Sequence, residues 1–443
     1  MDDINNDFTI ALIGGGSGAE ALMRELDGSD HRPVVFEPRL LGGECPFHAC
    51  MPSKAMLHDR STGRSWEEAV RRRDDVVSHL DDHEHLQEAR DLGVEVVRAA
   101  AEIVGPDAVR ADGTTYRVDH IVVATGAADD VPEIEGLDMD HPLVWSSGDA
   151  LTASAPPESV VIIGGGVIGS ELAFMFSGYD IPAMTLDTSD RPAADLHPRV
   201  SELIEQTLRT SGVEVVNGAQ IERVELTDDT ATVHLADGSQ HTAARLLVAV
   251  GRSPRWEGIG LERLGFDPTA IEIDAGGRAR STAGHDVWLI GDAAGQQQYT
   301  HVANHHAAVV ADHVAGAGVR RYDDVVVPAC IFVDPPVLVV GPTWASLQND
   351  DDIVWAGVEL DTPRGSTDEH GNGFLAVAAR RSTGCLVAAN GIGARFDEIV
   401  HALVTAIDGE VPVARLAQSM QPFPTVGEVL GQAYAALLTE LAD

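Results

Sequence analysis

The chain has 443 residues and a formal net charge of −40, and Lys54 is the only lysine among its 30 basic residues. A charge of this sign and size argues against nucleic acid or an anionic membrane surface as a partner. The hydrophobic content of 44% excludes a disordered acidic chain. The longest apolar runs have only the length of strands, and no signal segment is visible. We therefore expect a cytoplasmic protein with no membrane span.

Apolar strand runs alternate with helical stretches over residues 8–320, a pattern typical of parallel sheets with crossover helices. Within this region, a strand, a glycine turn and a helix start occur together twice. Each copy is followed, 23 residues after its first glycine, by an acidic residue that ends a second apolar strand. The residues concerned are Gly14, Gly16, Ala19 and Glu37 in the first copy, and Gly164, Gly166, Gly169 and Asp187 in the second.

These two motifs predict two dinucleotide sites. The glycines allow the backbone to approach a pyrophosphate, and the helix N-terminus supplies free N–H groups and a partial positive charge. The acidic residue accepts hydrogen bonds from a ribose diol. In the second site, the Asp187 carboxylate would repel a 2′-phosphate, so NADH is expected rather than NADPH, although Arg191 would partly offset this repulsion.

Residues 42–57 carry a redox motif, GGECPFHACMPSKAML. Cys45 and Cys50 lie where a loop enters a helix, and at this spacing the two sulfurs can come within bonding range. Lys54 follows Cys50 by one helical turn and would stabilise a thiolate there. A zinc half-site or an inert pair is the alternative. No second Cys/His pair stands at the usual spacing, so no metal is expected.

Three further strand ends can be recognised, and the first two alone indicate only a transition from strand to loop. One strand ends at Thr125 and Gly126, a second ends at Gly251, and a third is followed by Asp292, whose carboxylate suits a polyol chain. After residue 320 the pattern changes to antiparallel strands, a loop over 362–372, and helices at about 395–408 and 426–441. This pattern predicts a C-terminal α+β domain.

The order of these motifs along the chain resembles that of the class I flavoprotein pyridine nucleotide-disulfide oxidoreductases. This family includes glutathione reductase, dihydrolipoamide dehydrogenase and mercuric reductase. The resemblance implies an α/β fold with two Rossmann-like dinucleotide-binding domains and a C-terminal α+β dimerisation domain, assembled as a homodimer. The expected ranges are 1–148 and 281–319 for FAD, 149–280 for NAD(P), and 320–443 for the interface.

The resemblance also implies roles for individual residues. Cys50 would be the charge-transfer thiolate beside the flavin, and Cys45 the interchange thiol that attacks substrate. Lys54 matches the lysine near flavin N5, and Glu171 its carboxylate partner. Electrons would pass from NADH through FAD to the Cys45–Cys50 disulfide and then to a small oxidised substrate. The implied cofactor-binding residues are Gly14, Gly16, Ala19, Glu37, Gly43, Thr125, Gly126 and Asp292, with Gly164, Gly166, Gly169, Asp187 and Gly251.

Two positions depart from the family pattern. The histidine that normally moves protons at the redox pair is replaced by Phe423, although Glu428, the family's partner for that histidine, is present. Glu44 stands where the family usually has threonine, and a carboxylate beside Cys45 would tend to raise the pKa of that thiol.

The replacement by Phe423 leaves several functions open. In disulfide reduction, His48 or water would have to move the proton. Phenylalanine at this position also resembles 2-ketopropyl-coenzyme M oxidoreductase/carboxylase, which cleaves a thioether. A third alternative is direct electron transfer to a quinone, and a fourth is a non-enzymatic redox sensor or scaffold. The acidic composition fits either a halophilic source or a coding bias.

Overall fold

The computed structural model describes residues 3–364 and 373–442 and divides into two compact units. The first unit comprises the residues up to 55, together with 68–130 and 251–324. The second comprises 56–67, 131–250 and the residues from 325 onward. Residues 365–372, which form most of the loop predicted over 362–372, lie outside the described residues.

A six-stranded sheet forms the centre of the first unit, in the order β19-β20-β8-β2-β3-β4. Only β19 is antiparallel to its neighbour. All four residues of the apolar run Ile10–Ile13 are buried, as expected for a parallel strand covered on both faces. The strands of this unit are β1 Asp3–Asn5, β2 Ile10–Ile13, β3 Pro33–Phe36, β4 Glu95–Val97, β5 Ala101–Gly105, β6 Ala108–Ala111, β7 Thr114–Arg117, β8 His120–Val123, β9 Ala127–Asp129, β18 Arg252–Pro254, β19 Arg278–Arg280 and β20 Asp286–Leu289.

The second unit contains a parallel five-stranded sheet in the order β10-β17-β11-β12-β13 and an antiparallel one in the order β21-β22-β25-β24-β23. The same unit also contains a three-stranded antiparallel sheet, in the order β14-β15-β16. The strands are β10 Val144–Trp145, β11 Val160–Ile163, β12 Ala183–Asp187, β13 Glu214–Asn217, β14 Ile221–Leu226, β15 Ala231–Leu235, β16 Gln240–Ala243, β17 Arg245–Val248, β21 Pro328–Ile331, β22 Val337–Val340, β23 Ile353–Glu359, β24 Phe374–Arg380 and β25 Leu386–Ile392.

The helices begin where the glycine and cysteine motifs predict helix starts. The helix after each glycine turn has Gly16 or Gly166 as its N-cap. The described helices are α1 Ser17–Glu25, α2 Glu44–Phe47, α3 Cys50–Ser61, α4 Trp66–Val76, α5 His83–Asp91, α6 Ser147–Thr152, α7 Val167–Ser177, α8 Pro198–Thr210, α9 Thr300–Val314, α10 Trp344–Leu347, α11 Phe396–Asp408, α12 Val413–Leu416 and α13 Glu428–Ala442, with short 3-10 turns at Ser78–Leu80, Leu261–Leu264 and Gly291–Ala294.

The C-terminal part is α+β, as its sequence pattern predicts. Helix α13 packs on β23 and β24 through Val429, Ala433 and Leu437, which recur every four residues along one buried face. The predicted helices over 395–408 and 426–441 are observed as α11 and α13. Helix α12 lies between them as an additional short helix.

The two compact units group the chain differently from the three predicted ranges. Residues 131–148 fall in the second unit, where β10 pairs with β17. Residues 251–280 fall in the first unit, because β18 pairs with β9 and β19 pairs with β20. Which range binds which cofactor stays a prediction.

Candidate active site

The redox segment folds into a tight turn that brings Cys45 and Cys50 together. The carbonyl oxygen of Glu44 accepts the N–H groups of both His48 and Ala49, each at 2.8 Å. This closes the chain between α2 and the start of α3. The two cysteines are free thiols, both partly buried, and their side chains are hydrogen-bonded to each other.

Thr300, the first residue of α9, completes this cluster. Its hydroxyl group donates to the Cys45 sulfur at 3.1 Å and lies 3.8 Å from the Cys50 sulfur. Ser17, the first residue of α1, also hydrogen-bonds Cys45. The sequence did not single out Thr300 or Ser17. For Ser17, the available signal is its place at the helix start that the first glycine motif predicts.

The two thiols are electrostatically unequal. The hydrogen bond from Cys45 lowers the pKa of Cys50 to about 6 against the effect of burial, helped by Thr300 and Lys54. The same hydrogen bond raises the pKa of Cys45, and burial raises it further. The geometry therefore favours a reduced pair in which the charge lies on Cys50 and the proton on Cys45.

The first glycine turn has the form that a dinucleotide requires. Gly14 has φ +103°, and a Cβ there would overlap the carbonyl of Ala124. Glu37 accepts the N–H of Gly15 at 2.9 Å through Oε2. Among the described residues, none lies within 4 Å of the Cβ position at Gly16, at the N-terminus of α1. This open, N–H-rich turn fits the pyrophosphate of FAD.

Other residues predicted to bind a cofactor lie in the same unit, namely Thr125, Gly126 and Asp292 for FAD, and Gly251. Thr125 donates its hydroxyl hydrogen to the carbonyl of Arg255 at 2.6 Å, and the Gly126 carbonyl accepts the Arg255 N–H at 3.0 Å. The carbonyl of Gly251 accepts the N–H of Asp130 at 2.9 Å. Asp292 is partly buried, and burial raises the pKa of its carboxyl group although Arg252 opposes this.

The second glycine turn repeats the arrangement in the other unit. Asp187 accepts the Gly165 N–H through Oδ2 and the Ser189 N–H, at 2.6 Å, through Oδ1. A Cβ at Gly169 would overlap the Gly164 carbonyl, so the third glycine allows α7 to approach the turn. Within the described chain, the Cβ position of Gly166 is again open. These features fit a second dinucleotide.

Glu44 does not aim a free charge at its neighbour Cys45. Its carboxylate pairs with Arg252 through Oε2 and with Arg255, at 3.0 Å, through Oε1. Burial alone would raise the pKa of Glu44, but the two guanidinium groups bring it below its ordinary value. The charge of Glu44 is therefore compensated by two guanidinium groups that the sequence did not reveal.

The remaining predicted residues lie on separate elements. Lys54 lies one turn after Cys50 on α3 and contributes to the low pKa of that thiol. Glu171, on α7 in the second unit, accepts the N–H of Phe332 at 2.9 Å. The predicted pairing of Glu171 with Lys54 stays a prediction. His48 is partly buried at the end of α2.

Phe423 precedes α13 and leaves 76% of its surface exposed. Its peptide bond to Pro424 is cis. Glu428, the first residue of α13, accepts the N–H of Thr425 at 3.3 Å through Oε1. The carboxylate therefore caps the turn that carries Phe423.

Two structural features bear on other ligand classes. Over residues 3–364 and 373–442, no group of three or more His, Cys, Asp and Glu side chains is arranged to hold a metal ion. In the same ranges, no helix has both the length and the apolar character needed to cross a bilayer.

The chain matches two family models that together span most of its length. Residues 8–309 match the pyridine nucleotide-disulphide oxidoreductase model, and residues 327–434 match that family's dimerisation domain. The chain belongs to the pyridine nucleotide-disulphide oxidoreductases. The resemblance and the fold class predicted from the sequence are thus confirmed. The enzyme is a flavoprotein that uses FAD and a pyridine nucleotide, and its dimerisation domain agrees with the predicted homodimer.

Relatives and solved structures cover nearly the whole chain. A dihydrolipoyl dehydrogenase from Haloferax volcanii is 28% identical, over 98% of this chain and 97% of its own length. A mercuric reductase from Streptomyces lividans is 28% identical over the same shares. The structure of the HOCl-induced flavoprotein disulfide reductase RclA from Escherichia coli aligns with a TM-score of 0.86 at 25% identity, covering 97% of this chain and 99% of that one.

Proposed function

We propose that this oxidoreductase transfers electrons from NADH to a small disulfide or thiol-linked substrate through Cys45 and Cys50. The observation that carries the proposal is the thiol pair itself: two hydrogen-bonded cysteines of opposite pKa shift, sharing the Thr300 hydroxyl. Names among the relatives, dihydrolipoyl dehydrogenase and mercuric reductase, are compatible with thiol chemistry.

The two cysteines would act in sequence. The Cys45 thiol first gives its proton to water or His48, and its sulfur then attacks one sulfur of the substrate disulfide, forming a mixed disulfide and releasing the first thiolate. The Cys50 thiolate then attacks Cys45, releasing the second thiolate and forming the Cys45–Cys50 disulfide. The dithiol loses two electrons and the substrate gains them. The chemistry that FAD supplies when bound is two-electron transfer from the pyridine nucleotide to this disulfide.

The residues around the pair would hold charge and protons for these steps. Thr300 stabilises whichever sulfur is ionised, because its hydroxyl lies within reach of both. Lys54 stabilises the thiolate at Cys50. The first glycine turn with Glu37 would hold FAD, and the second turn with Asp187 the nicotinamide dinucleotide.

NADH is the proposed reductant because of the charge at Asp187. Both carboxylate oxygens of Asp187 are fixed by backbone N–H groups, so the negative charge stays at the turn. Arg191, the nearest candidate to neutralise a 2′-phosphate, pairs with Asp190 at 2.9 Å. A 2′-phosphate would therefore meet a net negative group.

A second function is favoured by one observation at the C-terminal segment. Where the family has a proton-transferring histidine, this chain exposes the ring of Phe423, and Glu428 caps the neighbouring turn. A phenyl ring cannot protonate a departing thiolate as an imidazole can. This favours an acceptor that needs no such proton, such as a quinone, or a thioether cleaved without protonation.

Steady-state NADH oxidation would distinguish these functions. The enzyme is assayed with disulfides, quinones and ketone thioethers, the last with and without CO2, beside Cys45→Ser and the matched control Cys385→Ser. Cys385 bonds the Glu410 carbonyl through its sulfur. Disulfide turnover that Cys45→Ser abolishes and Cys385→Ser spares supports the proposal. Quinone turnover that survives Cys45→Ser would replace it with direct transfer to the acceptor.

A further inference from the structure

Glu44 connects the redox turn to a strand more than 200 residues away in sequence. Its backbone carbonyl closes the turn between the cysteines by accepting the N–H groups of His48 and Ala49. Its side chain, 28% exposed, pairs with Arg252 and with Arg255. Glu44 thus closes the redox turn through its backbone carbonyl. Through its side chain, it also joins the turn to β18 and to Arg255, the residue after that strand.

The anchor at the other end, Arg252, makes several further bonds. Arg252 also pairs with Asp129, at 2.7 Å, and donates to the Ala127 carbonyl at 2.9 Å, and its side chain is only 16% exposed. Strand β18, which carries Arg252, is hydrogen-bonded to β9. On the other side of Glu44, Gly43 packs so closely on Gly16 that a Cβ would lie 2.7 Å from the Gly16 Cα. The backbone next to Glu44 is therefore constrained, in addition to its carboxylate.

The charges in this cluster are balanced. Glu44 and Asp129 supply two negative charges, and Arg252 and Arg255 supply two positive ones. The guanidinium of Arg39 lies 3.8 Å from Glu44 at the exposed edge. Asp292 adds a further acidic group facing Arg252.

We propose that Glu44 is a positioning residue for the Cys45–Cys50 pair, and that Arg255 is the counter-charge that keeps its carboxylate from suppressing thiol ionisation. The proposal rests on the thiol role given to these cysteines above. Arg255 is the informative partner because its side chain pairs with Glu44, whereas Arg252 is shared with Asp129.

The proposal predicts shifts of opposite sign for the two partners. Other groups face the pair, namely Thr300, Ser17 and Lys54, and they are the same in every variant. Removing the Arg255 charge leaves the negative charge of Glu44 less compensated. A negative charge disfavours the ionisation of a nearby thiol to a thiolate. Removing the Glu44 charge leaves the guanidinium groups in excess, which favours a thiolate.

The test is the pH profile of thiol alkylation in the reduced holoenzyme. Dithiothreitol-reduced protein reacts with iodoacetamide between pH 5 and 10, and the peptides carrying Cys45 and Cys50 are quantified by mass spectrometry. For Arg255→Gln we expect the alkylation profile to shift to higher pH, with a roughly threefold slower reaction at pH 7. For Glu44→Gln we expect the profile to shift to lower pH by a similar amount. The double variant returns towards the wild-type profile.

Two controls keep the result interpretable. Arg263→Gln removes a guanidinium that pairs with Glu102 instead of Glu44, so its profile should match wild type. Arg255→Lys retains the charge and should restore the profile even if Arg255→Gln destabilises the fold, which flavin content and melting temperature report. Shifts of the same sign in Glu44→Gln and Arg255→Gln, or no shift in either, would overturn the proposal. Because the readout is alkylation, failure to find a disulfide substrate would leave this result intact.

Discussion

Thr300 is the residue through which one hydroxyl group serves two sulfurs. A hydrogen bond to a charged acceptor contributes more to stability than one between neutral groups. The hydroxyl oxygen is 3.1 Å from the Cys45 sulfur and 3.8 Å from the Cys50 sulfur. It can therefore donate its hydrogen bond to whichever sulfur carries the negative charge. Thr300 thus stabilises the reduced pair in either state of ionisation.

Thr300→Val should therefore destabilise the reduced pair. The variant keeps the shape of the side chain but removes the donor, so the pKa of Cys50 should rise. At pH 7.5, the equilibrium with dithiothreitol should shift towards the Cys45–Cys50 disulfide by roughly tenfold. Thr300→Ser, which restores the hydroxyl, is the matched control. Equal equilibria for the valine variant and wild type would show that the hydroxyl has no energetic role.

Phe423 is the residue whose replacement tests the missing proton donor. Phe423→His places an imidazole where the resemblance to the family predicts one, with Glu428 five residues later. If the enzyme reduces disulfides without acid–base help, the variant should gain turnover with a disulfide substrate, up to ~10²-fold. Adding Glu428→Gln should remove much of this gain. Unchanged disulfide turnover in Phe423→His would favour an acceptor that requires no proton from this position.

At the scale of the element, helix α9 joins the redox site to the core of its unit. It begins at Thr300, and one and a half turns later it buries His306, which is 1% exposed. The imidazole stacks on the ring of Tyr322, with centroids 3.7 Å apart and planes 5° from parallel. Its Nδ1 is buried and has no hydrogen-bond partner among the residues that the structure describes. The helix therefore carries a neutral histidine that cannot easily accept a proton.

This histidine should make the protein acid-sensitive. Burial, with a smaller contribution from His305, lowers the pKa of His306 to about 4 from an ordinary 6.5. As the pH falls, this histidine takes up a proton in the unfolded chain before it does so in the folded protein. The stability present above pH 6.5 is therefore lost between pH 6.5 and about pH 4. The loss should reach about 3 kcal/mol. Between pH 7.5 and 4.5, the melting temperature of His306→Phe should fall by less than that of wild type.

The control for this prediction lies on the same helix. His301 is exposed, so His301→Phe should follow the wild-type pH dependence. If acidification lowers the melting temperatures of wild type and His306→Phe by the same amount, the acid sensitivity is caused by other groups, such as the many carboxylates of the chain.

Elements defined by local pattern could be predicted from the sequence, whereas contacts between distant segments could not. Strand β3 ends directly before Glu37, where the sequence predicts the end of an apolar strand, because an apolar run and the acid that follows it are encoded within a few residues. The two glycine turns and their acids are likewise local in spacing. By contrast, Thr300 is 255 residues from Cys45, and Arg252 is 208 residues from Glu44. Only the fold brings these pairs together, so Glu44 was expected to act as an uncompensated charge.

At the scale of the whole molecule, the net charge of −40 dominates. Acidic residues outnumber basic ones by more than two to one, so arginine ion pairs such as Arg24–Glu88 can engage only part of them. The remaining carboxylates repel one another, and this repulsion weakens the compact state. Salt screens it, with a Debye length of about 10 Å at 0.1 M and 3 Å at 1 M.

The melting temperature should therefore rise with potassium chloride from 10 mM to about 0.5 M and then level off, because screening saturates. Differential scanning calorimetry at fixed pH measures this. At pH 5, closer to the isoelectric point of about 4.6, the rise should be smaller. A melting temperature that does not respond below 1 M salt would show that charge repulsion contributes little to stability.

The single lysine has a practical consequence for labelling. Apart from the chain terminus, the sequence offers one primary amine, and it lies partly exposed one helical turn after Cys50. In most proteins an amine-reactive dye attaches to many surface sites, but here a succinimidyl ester has one side-chain target. A fluorophore attached to Lys54 would report from within the redox site, and its attachment rate would show how far that site opens to solvent.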